Sequence, residues 1–209
     1  MHLRILFISL VLFSCCKNSN GNLPYYNDAS FSPIFISENS YNLNEAITHQ
    51  IGKFEFLNQD NQLISDKEID GKIHVVNFFF TSCTSICPSM TKNMKNVSRE
   101  FKNDTMVKIL SFSVTPWIDN PKKLKTYSKR YNIENKNWHF LTGSKSEIYR
   151  LARMSYFAEK TLGFTKDSTD FLHTEYFILV DKNKNIRGVY NGTLALESKQ
   201  IVEDIKTLL

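Results

Sequence analysis

The amino-acid sequence predicts a layered α/β domain in which a mixed central β-sheet carries helices on both faces. From residue 51 to the end of the chain, apolar strand-like runs alternate with segments of helical periodicity, in the order β-α-β-α-β-α-β-β-α. Two of the runs, 73–80 and 107–114, are almost continuously apolar, which is typical of strands buried on both faces of a sheet. Right-handed crossovers would place these two strands side by side, with their carboxyl ends at one edge.

The individual elements follow from local patterns. Segments 53–57 and 62–64 flank a polar turn and predict an N-terminal β-hairpin. Apolar side chains recur at helical spacing after strand 73–80 and predict a helix over 89–102 with these side chains in the core; they are Met90, Met94, Val97 and Phe101. The remaining predicted elements are strand 107–114, helix 121–131, strand 138–141, helix 146–157, strand 175–180, its hairpin partner 186–190 and helix 197–209.

The composition limits the class of protein. Of the 209 residues, 42% are hydrophobic and 22% charged, which is ordinary for a folded domain and excludes a disordered chain. The formal net charge is +5, but the lysines are scattered among Asp and Asn, so we expect no nucleic-acid partner. Four cysteines are too few for a disulfide-dense scaffold, and they exclude a four-thiolate metal site unless chains combine.

Residues 1–14 are predicted to be a lipoprotein signal peptide. A short basic start precedes the apolar run 5–13, which cannot cross a bilayer because a spanning helix needs roughly twenty apolar residues. The segment Leu12-Phe13-Ser14-Cys15 resembles a bacterial lipobox, which implies cleavage before Cys15 and a lipid on its sulfur. A plain secretory signal with two incidental cysteines is the alternative.

The expected organisation is therefore a tethered domain outside the cytoplasm. Residues 15–50 would form a lipid-anchored tether and an N-terminal arm, and residues 51–209 the folded domain. Within the tether, residues 17–26 are rich in Asn, Ser and Gly and are predicted to be flexible. The expected compartment is the bacterial periplasm, which is oxidising and therefore bears on the state of the thiols.

The residues that carry chemistry lie in the segment TSCTSICPS, 81–89, between the predicted strand 73–80 and the following helix. Three residues separate Cys83 from Cys87, so both can lie on one face of the first helical turn, for which Pro88 is suited. Unpaired backbone N–H groups and the positive helix end stabilise thiolates there. Two such thiolates suit a soft metal such as Cu(I), and they equally suit reversible disulfide chemistry.

A soft metal held by two thiolates usually takes a third ligand, which makes the histidines candidates. His173 ends the polar loop 158–172, which can cross the sheet edge that carries the cysteines. A lone loop histidine is more often a solvated side chain, so spacing leaves its role open. The other histidines are less suitable: His2 lies in the signal segment, His49 in the arm, His74 at the far end of its strand, and His139 within strand 138–141 in a structural position.

Four segments, FFFTSCTSICPSM, SFSVTP, W-HFLTG and FLHTEYFILVD, lie in a characteristic order and spacing within residues 50–209. In these motifs the chain resembles the Sco/SenC family, copper-handling factors for cytochrome c oxidase assembly. The resemblance implies a thioredoxin-like three-layer fold, a membrane tether, and copper bound at Cys83, Cys87 and His173. Thr115 is a departure, because the family commonly has an Asp before this proline, so this position supplies no acidic side chain here.

Three functions remain open. The first is a metallochaperone rather than an enzyme: it would hold Cu(I) or Cu(II) through Cys83, Cys87 and His173 and, as the resemblance implies, deliver it to subunit II of cytochrome c oxidase. The second is a thiol–disulfide oxidoreductase in which Cys83 and Cys87 keep the partner's copper-ligand cysteines reduced. The third is a copper- or redox-responsive sensor, or a non-catalytic module, with a fixed Cys83–Cys87 disulfide.

Two features weigh against a general reductase. Thioredoxin-like reductases carry a cis-proline before the strand that corresponds to 175–180, where this chain has Leu172-His173-Thr174. Their cysteines are usually separated by two residues, whereas three separate Cys83 from Cys87.

An oxidised Cys83–Cys87 disulfide could not bind copper, so the chaperone would also need a periplasmic thiol reductant. A small carrier on a tether is expected to be a monomer.

Two charged patterns are interpreted as structural. Asp181 begins the polar turn DKNKN between two strands, where aspartate favours a hairpin turn. The lysines at positions 122, 123 and 125 are predicted to form a solvated face of helix 121–131, with a docking patch for an acidic partner as the alternative.

Overall fold

A seven-stranded mixed sheet forms the centre of the molecule. The computed structural model describes residues 23–36, 43–158 and 174–209. No helix within these ranges combines the length and apolar character that crossing a membrane requires. The elements in chain order are α1 (Leu43–Ala46), β1 (Glu55–Asn58), β2 (Leu63–Ser65), a 3₁₀ turn (Asp66–Ile69), β3 (Ile73–Phe79), α2 (Cys87–Glu100), β4 (Val107–Ser113), α3 (Pro121–Arg130), β5 (Trp138–Thr142), α4 (Lys145–Met154), β6 (Tyr176–Val180), β7 (Ile186–Asn191) and α5 (Ala195–Leu208).

The strand order is β2-β1-β5-β4-β3-β6-β7. Strands β3, β4 and β5 are parallel, and β3 also pairs with β6 in the antiparallel sense. The predicted N-terminal hairpin is present, since β1 and β2 pair antiparallel with Phe56 opposite Ile64. The predicted neighbours β3 and β4 lie in register from Ile73↔Val107 to Phe79↔Ser113, and therefore end together at one edge.

Helices cover both faces of this sheet, as predicted. Along β3, alternate side chains enter different cores: Val76 and Phe78 belong to one apolar cluster, Val75 and Phe79 to the other. Helix α4 packs in the first cluster, whereas α2, α3 and α5 pack in the second. The two methionines predicted to be core, Met90 and Met94, are fully buried in the second cluster.

Helices α2, α4 and α5 differ from their predicted bounds by two residues or more at one or both ends. Helix α2 begins at Cys87, two residues earlier than predicted, because the fixed φ of Pro88 is already helical in the first turn. Helix α4 ends at Met154 instead of residue 157. The chain leaves the helix there and reverses at Phe157, which has a φ of 50° in the left-handed region.

The end of the segment predicted to be a flexible tether is instead held against the sheet. Tyr25 and Tyr26 form backbone bridges to Ile34 and to Ile186 at the start of β7. Arg187 donates hydrogen bonds to the carbonyl oxygens of Leu23 and Pro24 and stacks on the Tyr25 ring, 3.8 Å from its centroid. These contacts attach residues 23–26 to the edge strand β7, where unpaired backbone groups are available.

The turn between β6 and β7 has the structural role predicted for Asp181. Its carboxylate accepts the backbone N–H groups of Asn183 and Asn185 at 2.9 and 3.0 Å and pairs with Arg187 at 3.1 Å. Lys184 takes a φ of 65°, which a tight polar turn requires at this position. The carboxylate is therefore fully engaged in holding the hairpin.

We expect His74 to make the protein less stable on the acid side of neutrality. Burial, reinforced by the charge of Lys184, lowers the pKa of its imidazole from 6.5 to about 3. Between these two pKa values the unfolded chain binds a proton that the native protein does not, so the free energy of unfolding decreases as pH falls. The contribution of this one group is up to about 1.4 kcal/mol per pH unit.

Urea unfolding of the wild type and of His74→Leu at a series of pH values from about 7.5 to 5 measures this effect, in a range chosen above most carboxylate titrations. The variant should show a shallower pH dependence, whatever its absolute stability. The remaining slope is expected from His139, because burial lowers the pKa of that imidazole too. Parallel curves for the two proteins would contradict this account of His74.

Candidate functional site

The two cysteines lie where β3 passes into α2, at the carboxyl edge of the parallel strands. Cys83 is half-buried in the loop, and its backbone N–H donates to the Phe80 carbonyl at 3.2 Å. Cys87 is the first residue of α2 and is buried. No side chain caps this helix, so the backbone N–H groups of its first turn are left for other acceptors. Both cysteines are free thiols.

The surroundings of the two thiols give them opposite acidities. Burial opposes ionisation of Cys83, but hydrogen bonds from the Cys87 thiol and from the backbone amides of Cys87, Ser85 and Ile86 hold its pKa below the ordinary value. Burial and the interaction with Cys83 raise the pKa of Cys87. Cys83 is therefore the first of the two thiols to lose its proton. The remaining proton stays on the buried Cys87 sulfur, which donates a hydrogen bond to Cys83.

Cys87 belongs to an apolar cluster that contains aromatic side chains. Tyr127 of α3 is buried against Phe79, with ring centroids 5.2 Å apart, and its hydroxyl lies 2.7 Å from that of Thr91. Burial raises the pKa of the Tyr127 hydroxyl, and nearby Tyr131 and Cys87 raise it further. The tyrosine therefore stays neutral and provides a rigid, apolar support for the buried sulfur.

Asp119 anchors the beginning of the cysteine loop. Its carboxylate is fully buried and accepts the backbone N–H of Thr81 at 3.0 Å and the Thr81 hydroxyl at 2.5 Å. It also accepts the hydroxyls of Ser113 at 2.7 Å and Thr115 at 3.0 Å. One carboxylate thus joins the end of β3 to the end of β4, two residues before Cys83.

Asp119 was missed in the sequence analysis, although a signal was present. It follows β4 by six residues, and the end of β4 was predicted to lie beside the cysteine loop. A carboxylate in the segment after β4 was therefore a candidate for contact with the cysteine loop. The sequence pattern drew attention only to Thr115, the position where the family commonly has an Asp. The structure shows that the Thr115 hydroxyl donates a hydrogen bond to the carboxylate of Asp119.

The site lies beside the edge of the sheet where β6 begins. Because β6 runs antiparallel to β3, with Val76 opposite Ile178, the start of β6 lies beside the end of β3. Thr174 is described and buried there, and its hydroxyl accepts the backbone N–H of Tyr176 at 3.2 Å. His173, the predicted third ligand, and Cys15, the predicted lipid acceptor, both lie outside the described residues.

The structure keeps the other described histidines away from the thiols. His74 lies at the start of β3, opposite Val180, with its Nε2 3.2 Å from the Tyr156 hydroxyl. His139 is buried in β5 with its Nδ1 3.4 Å from Asn58, and the His49 Nε2 lies 2.7 Å from the Ser155 carbonyl. Within the described ranges no three His, Cys, Asp or Glu side chains are grouped as a metal site.

Comparison with known proteins agrees with this fold. Residues 44–209 match the family model described as SCO1/SenC. The chain is similar to BsSco, a member of the Sco family of cytochrome c oxidase assembly proteins whose structure identified a disulfide switch. The TM-score is 0.63 and the identity 32%, over 77% of this chain and 93% of that one.

Two further solved structures are similar over nearly their whole length. One is a SCO1/SenC family lipoprotein from Bacillus anthracis, with a TM-score of 0.67 and 30% identity over 78% of this chain and 96% of that one. The other is ScoI from Bradyrhizobium japonicum with copper bound, with a TM-score of 0.61 and 25% identity over 78% and 100% of the two chains. With its thioredoxin-like sheet and its cysteine pair at the start of a helix, the chain belongs to the SCO1/SenC family.

Proposed function

We propose that this protein is a copper chaperone, anchored to a membrane through a lipid on Cys15 and working outside the cytoplasm. Copper is its cargo, held by Cys83, Cys87 and His173 and delivered to subunit II of cytochrome c oxidase. The observation that carries the proposal is the pair of hydrogen-bonded thiols at the start of α2, beside the edge where β6 begins.

The donor set fits this cargo. Thiolates are soft ligands that favour Cu(I), and an imidazole accepts both Cu(I) and Cu(II), so two sulfurs and one nitrogen serve both oxidation states. His173 directly precedes Thr174, whose position at the sheet edge supports its assignment as third ligand. The copper-bound Bradyrhizobium relative, the Bacillus anthracis lipoprotein and the oxidase-assembly role of BsSco each support one part of the proposal.

Transfer of copper would proceed by exchange of ligands. Cys83 is the more exposed sulfur and ionises first, so a partner's sulfur can approach the metal from its side while Cys87 remains buried. The anchored loop keeps both sulfurs in place when the metal leaves. A periplasmic thiol reductant would return the pair to the dithiol state, because a disulfide offers no thiolate to the metal.

A thiol–disulfide oxidoreductase is the second candidate. The observation in its favour is the opposite shift of the two pKa values, since one ionised thiol attacks and one protonated thiol resolves in such enzymes. The disulfide switch described for BsSco gives this candidate further support. Both functions use the same two residues and exclude each other only while the disulfide is formed.

We expect one tightly bound copper per chain in the reduced protein. Cys83→Ser or Cys87→Ser should abolish tight binding, because one thiolate and an imidazole hold Cu(I) poorly. His173→Ala should weaken binding by at least about tenfold, since even the loss of a residue that only supports a metal ligand typically costs about 10- to 100-fold, while both thiols stay titratable. Competition with a Cu(I) chelator measures the affinities, and His49→Ala is the control. Unchanged affinity in His173→Ala would rule out His173 as a ligand. A reduced protein that binds no copper would refute the chaperone function and favour the oxidoreductase.

We expect Cys83 to be alkylated at lower pH than an ordinary thiol. Its pKa lies below the usual value, so the thiolate fraction near neutrality is raised and the midpoint of the rate–pH curve is shifted to lower pH. Cys87→Ala removes a hydrogen-bond donor and should move the midpoint to higher pH. Iodoacetamide kinetics, with Cys15 and Cys16 replaced by serine, measure this. A wild-type midpoint at or above that of free cysteine would refute the electrostatic description.

We expect Asp119→Ala to weaken copper binding without touching a ligand. The substitution leaves the N–H of Thr81 and the hydroxyls of Ser113 and Thr115 without their acceptor, which costs about 2 kcal/mol of stability or more and loosens the loop. A loss of about tenfold in Cu(I) affinity should accompany it, which is typical when a residue that only positions a metal ligand is removed. The exposed Asp60→Ala is the control. Equal affinity in a folded Asp119→Ala would show that the loop does not need this anchor.

A further inference from the structure

A groove of about 460 Å³ opens beside Cys83. The cysteine loop forms one wall, and α3 forms the other with Lys123, Tyr127 and Arg130. Ile118, 37% exposed, adds an apolar side chain to the lining. Cys83 lines this groove and Cys87 does not. A partner group that enters the groove therefore meets the more exposed of the two sulfurs.

The α3 wall of the groove is positively charged. Helix α3 carries five cationic side chains and no acidic one. Lys123 and Arg130 are seven residues apart, two turns along the same helical face. In the described part of the chain neither forms a salt bridge, whereas Lys125 on the neighbouring face pairs with Asp60. The described residues that line the groove include no carboxylate.

We propose that this groove binds an acidic segment of the partner protein, close to the partner cysteine that meets Cys83. The inference deepens the proposed function by stating the partner's chemistry, and it rests on Cys83 being the sulfur that exchanges. It applies equally to copper transfer and to disulfide exchange. A recessed groove focuses the field of its two cations and steers an acidic chain towards the thiol. Ile118 offers an apolar contact to the same segment.

A second basic groove on α3 provides a matched control. Lys122 and Lys129 line a larger groove of about 660 Å³ together with the turn between β1 and β2. Cys83 does not line this second groove. The double variants K123E/R130E and K122E/K129E change the net charge equally and lie on the same helix. A difference between them therefore reports on the groove beside the thiol and not on the overall charge.

The test measures the reaction of the full-length reduced chain, with Cys15 and Cys16 replaced by serine, with activated peptides. Three peptides of equal length carry one cysteine as a 2-pyridyl disulfide, flanked by aspartates, serines or lysines. The Cys83 thiolate attacks the peptide sulfur, a mixed disulfide forms, and pyridine-2-thiolate leaves and takes up a proton. The Cys87 thiol then loses its proton as its sulfur attacks Cys83, which oxidises the pair to a disulfide and releases the peptide as a thiol. The absorbance of the released pyridinethione gives the rate.

The acidic peptide should react about tenfold faster than the neutral one at low salt, and the lysine peptide more slowly than both. K123E/R130E should lose or invert this preference, whereas K122E/K129E should keep most of it. The advantage should shrink as salt rises, because the charges are screened. The rate with the neutral peptide normalises each variant for thiol ionisation and folding.

Equal rates for the three peptides, or an equal loss of preference in both double variants, would overturn the proposal. The proposal would also fail if both double variants lost binding to phosphatidylglycerol vesicles but kept the wild-type preference for the acidic peptide. In that case the cations of α3 would bind a membrane surface and not the partner protein. Copper stoichiometry of the same wild-type protein is measured separately. A copper-free protein that still prefers the acidic peptide would refute the chaperone function and support the groove proposal. A protein that binds copper but shows no preference for the acidic peptide would support the chaperone function and refute the groove proposal.

Discussion

The pairing of β3 with β4 is the constraint on which the site depends. Seven residue pairs, from Ile73↔Val107 to Phe79↔Ser113, hold the two parallel strands in register, and every one of these residues is buried. Because both strands end at one edge, Thr81 and Thr115 come within reach of a single carboxylate, that of Asp119. A slip of one residue would turn each β3 side chain towards the opposite core and would separate the loop from its anchor.

The buried carboxylate and the acidic thiol coexist because each has its own hydrogen-bond donors. Asp119 accepts two hydrogen bonds from Thr81 and one each from Ser113 and Thr115, and hydrogen bonds to a charged group are worth about 1.5–3 kcal/mol each. A separate set of donors, the Cys87 thiol and the backbone amides of Ser85, Ile86 and Cys87, serves Cys83. The anchor acts on the geometry of the loop, and the helix end acts on the charge of the sulfur.

Helix α3 joins the support of the thiol pair to the surface around it. Its buried face places Tyr127 against Phe79 beneath Cys87, while its exposed face carries Lys123 and Arg130 into the groove beside Cys83. The asymmetry of the two cysteines has a different origin. Cys87 is buried and keeps its proton, whereas hydrogen bonds from Cys87 and from nearby backbone amides lower the pKa of Cys83, which loses its proton first.

The sequence by itself determined the α/β class, the central strands, the N-terminal hairpin, the core positions of Met90 and Met94 and the loop that carries Cys83 and Cys87, because periodicity and chain order are local properties. Only the tertiary structure decided the role of Asp119 and the attachment of residues 23–26 to β7, since both depend on contacts between segments far apart in the chain. The opposite acidities of the two thiols also required it. Burial and hydrogen-bond donors set a pKa, and neither is encoded in the spacing of two cysteines.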